Sequence, residues 1–422
     1  MKAVMEVIQA PDDLPFRRLR EHIAGQMDYS QSLPDEKLLE LIESEVFAYS
    51  DQVYLTAGKK KELVRRLYDS FRGLDILQPL VDDPSVTEIM INGPDRIFIE
   101  RDGKVIKVPD KFESVQKLED VVQSIVAKVN RVVNDSSPIV DARLKDGSRV
   151  NVVLSPVSLD GTAVTIRKFP SSPMTIEDLV RRGALTNNAA RLLERLVAAK
   201  YNLFIGGGTG SGKTTFLNAL SQFIPPDERI ITIEDSAELR ITSVPNLIRL
   251  ETRNANTEGK GEITIRELIR TSLRMRPNRI IVGEVRGAEA LDMLSAMNTG
   301  HDGSLSTGHA NSSSDMLGRL ETMVLSGADL PMDVVRKQIA SAIDILVHLS
   351  RMRDKSRRVT EIHEVCGFRD GEIRLNPLYL FRESEGGSVE RVLGELTATG
   401  NSLQNRRKLE MAGMLEEMEA GS

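Results

Sequence analysis

The stretch YNLFIGGGTGSGKTT, Tyr201 to Thr215, constrains the chain more than any other. An apolar run leads into Gly207, four residues follow, and then come Gly212, Lys213, Thr214 and the helix-like TFLNALSQF. Glycines let consecutive backbone N–H groups turn inward around a phosphate, and a helix starting there adds its positive dipole end. Lys213 has the reach to meet β- and γ-phosphates, and Thr214 offers its hydroxyl to Mg²⁺. A plain glycine turn does not need the Gly-Lys-Thr ending, and a dinucleotide fingerprint lacks it. Gly207, Gly208, Thr209, Gly210, Ser211, Gly212, Lys213, Thr214 and Thr215 therefore read as a site for ATP and Mg²⁺.

Two further apolar segments end in acids. RIITIEDSAEL reaches Glu234 and Asp235, and NRIIVGEVRG reaches Glu284. In a doubly wound sheet such strand ends form the ligand edge, so Glu284 is placed to orient or deprotonate a water beside Mg²⁺, holding the metal through water, while Glu234 helps polarise it. Either acid alone would read as a strand cap; two downstream of a phosphate loop read as chemistry. Between them EITIRELIRTSLRMRPNR has the Thr264/Glu267 capping-box spacing and gathers Arg266, Arg270, Arg274, Arg276 and Arg279. For these arginines a finger role and a salt-bridged helix face are both open.

NTGHDGSLSTGHANS holds two of the chain's five histidines, His301 and His309. A structural zinc site wants about four N or S ligands, and no cysteine lies nearby. SLSTGHAN reads instead as another strand that delivers His309 to the phosphate edge, where an imidazole can sense a γ-phosphate.

At 422 residues the chain needs more than one core. Lys and Arg number 56 against 62 Asp and Glu, a formal charge of −6, which argues against a dedicated nucleic-acid binder. The lone cysteine, Cys366, excludes an internal disulfide framework and suits a reducing compartment. MKAVMEVIQAPDDLPFRRLR lacks the layout of a secretory signal, and no apolar run reaches bilayer length, so a cytoplasmic location is expected.

Charged amphipathic segments, with Leu38, Leu41, Ile42 and Glu45 near helical spacing, predict a helical bundle over 1–75. The turns at Asn92-Gly93-Pro94 and Asp102-Gly103, a helix over 115–133 carrying Leu118, Val121, Val122, Ile125, Val126 and Val129, and three later strands predict an α/β domain over 76–170. A boundary is expected near Pro170, followed by a Thr175/Asp178 capping box. Strands at Leu203, Ile230, Ile280 and Leu305 alternate with helices and predict a mostly parallel ATPase domain over 171–385, with a peripheral C-terminal tail over 386–422.

GGTGSGKTT, TIEDSAEL and RMRPNRIIVGEVRGAEALDMLSAMNTGHDGSLSTGHAN together resemble the Walker A, Asp box, Walker B and His box of type II/IV secretion ATPases. SPIVDARLKDGSRVNVVLSP and VTIRKF resemble the tight-adherence (Flp/Tad) pilus branch, the CpaF-like proteins, and the likeness runs from about Phe16 to Phe381. It implies a RecA-like P-loop ATPase domain preceded by a smaller α/β (PAS-like) domain and a helical bundle. It also implies a homohexamer, peripheral at the inner face of the cytoplasmic membrane on platform proteins, that powers pilus assembly or secretion without direct nucleic-acid contact. In such proteins arginines of the N-terminal module reach the phosphates; Arg149 and Arg167 match. Asn278 stands where RPDR is expected, which puts a local salt bridge in doubt. A DNA-translocating or conjugation ATPase of the same superfamily is the alternative. A non-catalytic scaffold is disfavoured by Glu234 and Glu284, and LSGAD at 325–329 follows the Walker B strand, whereas an ABC signature precedes it.

Overall fold

The computed structural model describes residues 14–27, 33–101, 103–129, 131–169, 173–253, 255 and 259–415. The expected boundary at Pro170, the turn residue Asp102, the segment 1–13 and residues 416–422 lie outside them. The chain divides into two compact units, Met1–Ser171 and Ser172–Ser422.

The first unit opens with α1 (Leu14–Gln26), α2 (Asp35–Gln52) and α3 (Ala57–Arg72), which bury Phe16, Ile23, Leu38, Ile42, Val46 and Leu67 among themselves. Leu41 is half-buried at the margin. Then come α4 (Gln78–Asp82), β1 (Val86–Asn92), β2 (Ile97–Arg101), β3 (Lys104–Lys107), α5 (Val115–Ala127), β4 (Ile139–Arg143), β5 (Arg149–Val153) and β6 (Ala163–Arg167). The strands form one sheet, β3-β2-β1-β6-β5-β4, antiparallel throughout. Ser114 caps α5, and Leu118, Val121, Val122, Ile125 and Val126 join the sheet's core as the periodicity predicts. The helix stops at Ala127, short of the expected 133. The Val126 carbonyl accepts the N–H groups of both Val129 and Arg131, tightening the final turn and leaving Val129 outside the helix.

The second unit contains α6 (Ile176–Arg181), α7 (Asn187–Ala198), β7 (Leu203–Gly207), α8 (Lys213–Ser221), β8 (Arg229–Glu234), β9 (Asn246–Glu251), α9 (Ile265–Ser272), β10 (Arg279–Val282), α10 (Glu289–Asn298), β11 (Leu305–Gly308), α11 (Ser313–Gly327), α12 (Met332–Ala342), β12 (Ile345–Arg351), β13 (Arg357–Arg369), β14 (Glu372–Glu383), β15 (Gly394–Ala398) and α13 (Arg407–Met411). Its nine strands run β15-β14-β13-β12-β7-β11-β10-β8-β9. The six from β12 to β9 are parallel, and β13 to β15 add an antiparallel flank. Helices cover both faces, so β7 is apolar on both. Leu203 and Ile205 pack with α6 to α8, and Phe204 packs with the helices that follow β9. Both expected capping boxes, Thr175/Asp178 and Thr264/Glu267, are formed.

The N-terminal end of this sheet is saturated with internal bonds. Arg279, fully buried, forks onto Glu228 at 2.6 and 2.8 Å and donates to the Val197 carbonyl at 2.7 Å. Asn202 accepts from Gly303 and Ser304 N–H through its side chain and donates to the Ala342 carbonyl. Its backbone N–H reaches Asp344, whose carboxylate also receives Lys408 at 2.7 Å.

The described part of the segment 386–422, expected as a peripheral tail, is attached at the edge of this sheet. β15 pairs with β14, Leu409 is fully buried, and the buried Glu364 accepts the N–H groups of Gln404 and Asn405 and the Asn376 side chain. The charged surface of RRKLEM hides this attachment, because a single inward leucine is enough to anchor so short a helix.

Candidate functional site

The turn between β7 and α8 carries the glycine-rich loop. At Gly212, the N-cap of α8, φ is +95°, which a side chain would strain. A Cβ at Gly207 would stand 2.5 Å from the Leu349 carbonyl oxygen, so only glycine lets the loop leave the sheet here. Gly208, Thr209 and Gly210 are exposed at the crest, Ser211 is buried, and Thr214 and Thr215 are half-buried in the first helical turn. Lys213 folds its ammonium back over the loop, donating to the carbonyls of Gly207 at 3.0 Å and Gly208 at 3.1 Å. Burial pulls its pKa below the ordinary lysine value, against the opposing charge of Glu284.

Parallel pairing sets the two acids beside it. Glu234 ends β8, and Glu284 follows β10 by two residues. Glu234 is 3% exposed. Its Oε1 accepts the backbone N–H groups of Glu238 and Leu239, and its Oε2 is buried without a partner among the described residues. Burial lifts its pKa to about 7 despite those two donors. Gly283 makes room for it, since a Cβ there would lie 2.8 Å from Glu234 Cγ.

His309 follows β11 and joins the site. Lys213 Nζ lies 3.4 Å from its Nδ1, and its Nε2 stands 2.7 Å from Glu284 Oε1. An ammonium only donates, so Nδ1 accepts and the ring proton sits on Nε2, toward the carboxylate. Burial, then the Lys213 charge, hold the imidazole pKa below its usual value, so the ring is neutral at physiological pH. Glu284 Oε2 receives Arg286 at 2.6 Å, and Arg286 also lies 3.6 Å from Asp235. The result is one contiguous chain, Lys213–His309–Glu284–Arg286.

A second network supports His309 from below. The buried His348 of β12 places Nε2 3.3 Å from the Ala310 carbonyl and Nδ1 2.9 Å from Thr360 Oγ1, while Glu361 accepts the Ser313 N–H. Sequence reasoning missed Arg286, His348 and Glu361. Arg286 was within reach, since its two-residue offset from Glu284 puts both on one side of an extended segment. His348 and Glu361 gain meaning only once β12 lies beside β7.

The other candidates lie elsewhere. His301 sits at the opposite end of β11, with Nδ1 3.2 Å from the Ala296 carbonyl of α10. Arg266 and Arg270 both bind Asp292, and Arg279 belongs to the buried Glu228 pair, so each of the three has a carboxylate partner within its own unit. Asn278 accepts the Arg229 N–H at 2.7 Å, and the Arg229 guanidinium turns to Met275 and Asn246, so a neutral bond stands where a carboxylate was expected. Arg149 and Arg167 are direct cross-strand neighbours on β5 and β6, with Glu88 opposite Arg167 on β1.

The residues fit a nucleotide polyphosphate with a divalent cation. Ser211 Oγ and Glu234 Oε2 are buried with no hydrogen-bond partner among the described residues. Unpartnered oxygens are costly unless something else satisfies them, and hard oxygen donors suit Mg²⁺. Together with a lysine and a glycine loop, they can bind phosphates, position a water and remove its proton.

The family model described as Type II/IV secretion system protein matches residues 71–387. The conjugal transfer protein TrbB of Rhizobium radiobacter is 34% identical over 311 residues, covering 73% of this chain and 92% of that protein. The type IV secretion system protein VirB11 of Brucella suis is 34% identical over 305 residues, covering 65% and 84%. Among solved structures, the pilus retraction motor PilT with bound ADP aligns with a TM-score of 0.51 at 18% identity, covering 82% of this chain and 88% of its own, a likeness of fold. No described helix is long and apolar enough to cross a membrane. With three quarters of its length matched by the family model and a nucleotide loop intact, the chain belongs to the type II/IV secretion system ATPases.

Proposed function

We propose that this ATPase is the motor of a Flp/Tad-type pilus, working as a homohexamer at the cytoplasmic face of the inner membrane on platform proteins, without direct nucleic-acid contact. The Lys213–His309–Glu284 contacts carry the catalytic part of this reading, because they tie the phosphate-binding lysine to a carboxylate able to take a proton. Glu284 Oε1 accepts the proton of the attacking water, and Arg286 on Oε2 keeps that carboxylate oriented. His309, neutral between Lys213 and Glu284, registers the γ-phosphate. As Lys213 exchanges loop carbonyls for phosphate oxygens, the imidazole loses one neighbour and can shift. Glu234, fixed by two backbone donors, presents Oε2 to polarise the same water. Thr214, and Glu284 through water, would hold Mg²⁺, which would neutralise charge on the phosphate oxygens. The family resemblance also assigns Arg149 and Arg167 to phosphate binding, an assignment that alanine substitution at either tests through turnover.

The pilus branch is supported by SPIVDARLKDGSRVNVVLSP, which supplies β4 and β5. A conjugation or DNA-translocation motor is the second reading, favoured by the 34% identity to TrbB. Deleting the chain and scoring surface pili, secreted proteins and DNA transfer separates the two. Loss of pili with DNA transfer intact is the expected result, and the reverse outcome overturns it. In vitro, stimulation of turnover by platform proteins rather than by DNA is expected.

A further inference from the structure

The hairpin joining β12 to β13 leans over the nucleotide loop and carries four arginines within eight residues. Two are absorbed by the fold. Arg353 pairs with Glu383, and Arg358 donates to the carbonyls of Gly183, Gly394 and Val392 while lying 5.4 Å from the Phe381 ring centroid. The other two, Arg351 and Arg357, are exposed and directly opposite each other across the antiparallel pair. Like charges in that relation destabilise a sheet. Among the described residues neither lies within ion-pair distance of a carboxylate. The nearby acid, Asp354, is fully engaged by Ser356 and the Val392 N–H, which hold its pKa down to about 2.

Arg357 is held against the loop, and the Arg351 guanidinium lies beside it. Arg357 Nε donates to the Gly210 carbonyl at 2.9 Å, leaving both its Nη groups without a protein acceptor among the described residues. A Cβ at Gly210 would lie 3.7 Å from Arg351 Nη1, and one at Gly212 would lie 3.4 Å from Arg357 Cδ. The turn between them is tight: Met352 N–H bonds the Ser356 carbonyl, Lys355 N–H bonds the Met352 carbonyl, and Lys355 adopts φ +66°. Two uncompensated guanidinium forks at the crest of a phosphate loop, one of them anchored there through Nε, offer the bidentate geometry that phosphate oxygens take.

We propose that Arg351 and Arg357 are a second cationic wall of the nucleotide site, binding the polyphosphate from the side opposite His309 and Glu284. The proposal rests on the ATPase reading. The repulsion between the two arginines is relieved when an anion lies between them, so the hairpin favours the loaded site.

The test measures equilibrium binding of ATP and of inorganic tripolyphosphate to the full chain and to Arg351→Ala, Arg357→Ala and Arg357→Lys, with Lys213→Ala alongside and circular dichroism confirming the fold. Each alanine variant is expected to weaken both ligands about tenfold, the scale of one lost charge-assisted hydrogen-bonding group. Arg357→Lys should recover part of that loss. Wild-type affinity in both alanine variants overturns the proposal. So does a loss for ATP with tripolyphosphate unchanged, which places the arginines on the ribose or base. A change in oligomeric state with affinities unchanged also overturns it, because the arginines then face a neighbouring copy. If Lys213→Ala binds ATP as the wild type does, the ATPase site itself is misplaced, a failure separable from that of the arginine pair.

Discussion

The two ends of the nine-stranded sheet are built from the same polar vocabulary to opposite effect. At the N-terminal end every polar group described above finds a protein partner: Arg279 with Glu228, Asn202 with three backbone groups and the Asp344 carboxylate, Lys408 with Asp344. At the C-terminal end Ser211 Oγ and Glu234 Oε2 are buried and unpartnered among the described residues, and two arginines face each other without counter-charge there. Both ends have the means to satisfy themselves, so the deficit is local. The saturated end holds the fold together, and the unsaturated end is where a ligand completes it.

That contrast is breakable. The largest effect belongs to Glu228→Ala, which strands a fully buried guanidinium and should cost about 3–5 kcal/mol of stability in urea unfolding, with turnover per folded molecule unchanged. A turnover loss without a stability loss would dissolve the division of labour. Lys213→Ala should do the converse, cutting turnover by about a hundredfold or more while the melting temperature stays near that of the parent.

Glu234 sharpens the comparison through pH. Its folded-state pKa of about 7 lies above the ordinary 4.5, so the folded protein holds this proton more tightly than the unfolded chain. Relative to Glu234→Gln, whose amide oxygen can still accept from Glu238 and Leu239, the parent is most stable below pH 4.5 and loses ground as pH rises through about 7. The full swing is about 3 kcal/mol. A pH-independent difference in denaturant midpoints would mean the carboxylate is solvated. His309→Ala should lower turnover roughly tenfold, the scale of a coupling residue, with a much smaller change in ATP affinity; equal losses in both would make His309 a simple binding group. Smallest is Lys408→Ala, expected to cost about 1 kcal/mol at the saturated end and nothing in turnover.

Much of this was legible in the sequence because its signals are local. The loop from Gly207 to Thr215, the strand-end acids and both capping boxes depend on spacing within a few residues, and β7, β8, β10 and β11 lie where their apolar runs predict. What escaped was non-local. The pairing of β12 with β7, which brings His348 under the His309 loop and Arg351 over the phosphate loop, joins segments more than a hundred residues apart. The attachment of 394–415 depends on Glu364, an acid whose burial no periodicity reveals. The roles of the unit-two arginines were undecidable from position, since only the fold brings Asp292 to Arg266 and Arg270 and buries Arg279 against Glu228.

Asn202 carries one more consequence, for synthesis on the ribosome. It sits immediately before the strand that leads to the phosphate loop, yet its backbone N–H is satisfied by a residue 142 positions later, and that residue is clamped by a lysine 64 positions later still. β7 likewise gains its flanking neighbours, β11 and β12, only after translation has passed each of them. A nascent chain therefore cannot assemble this nucleotide site early, and a stalled or truncated product that ends before β12 carries the loop sequence without the platform that shapes it.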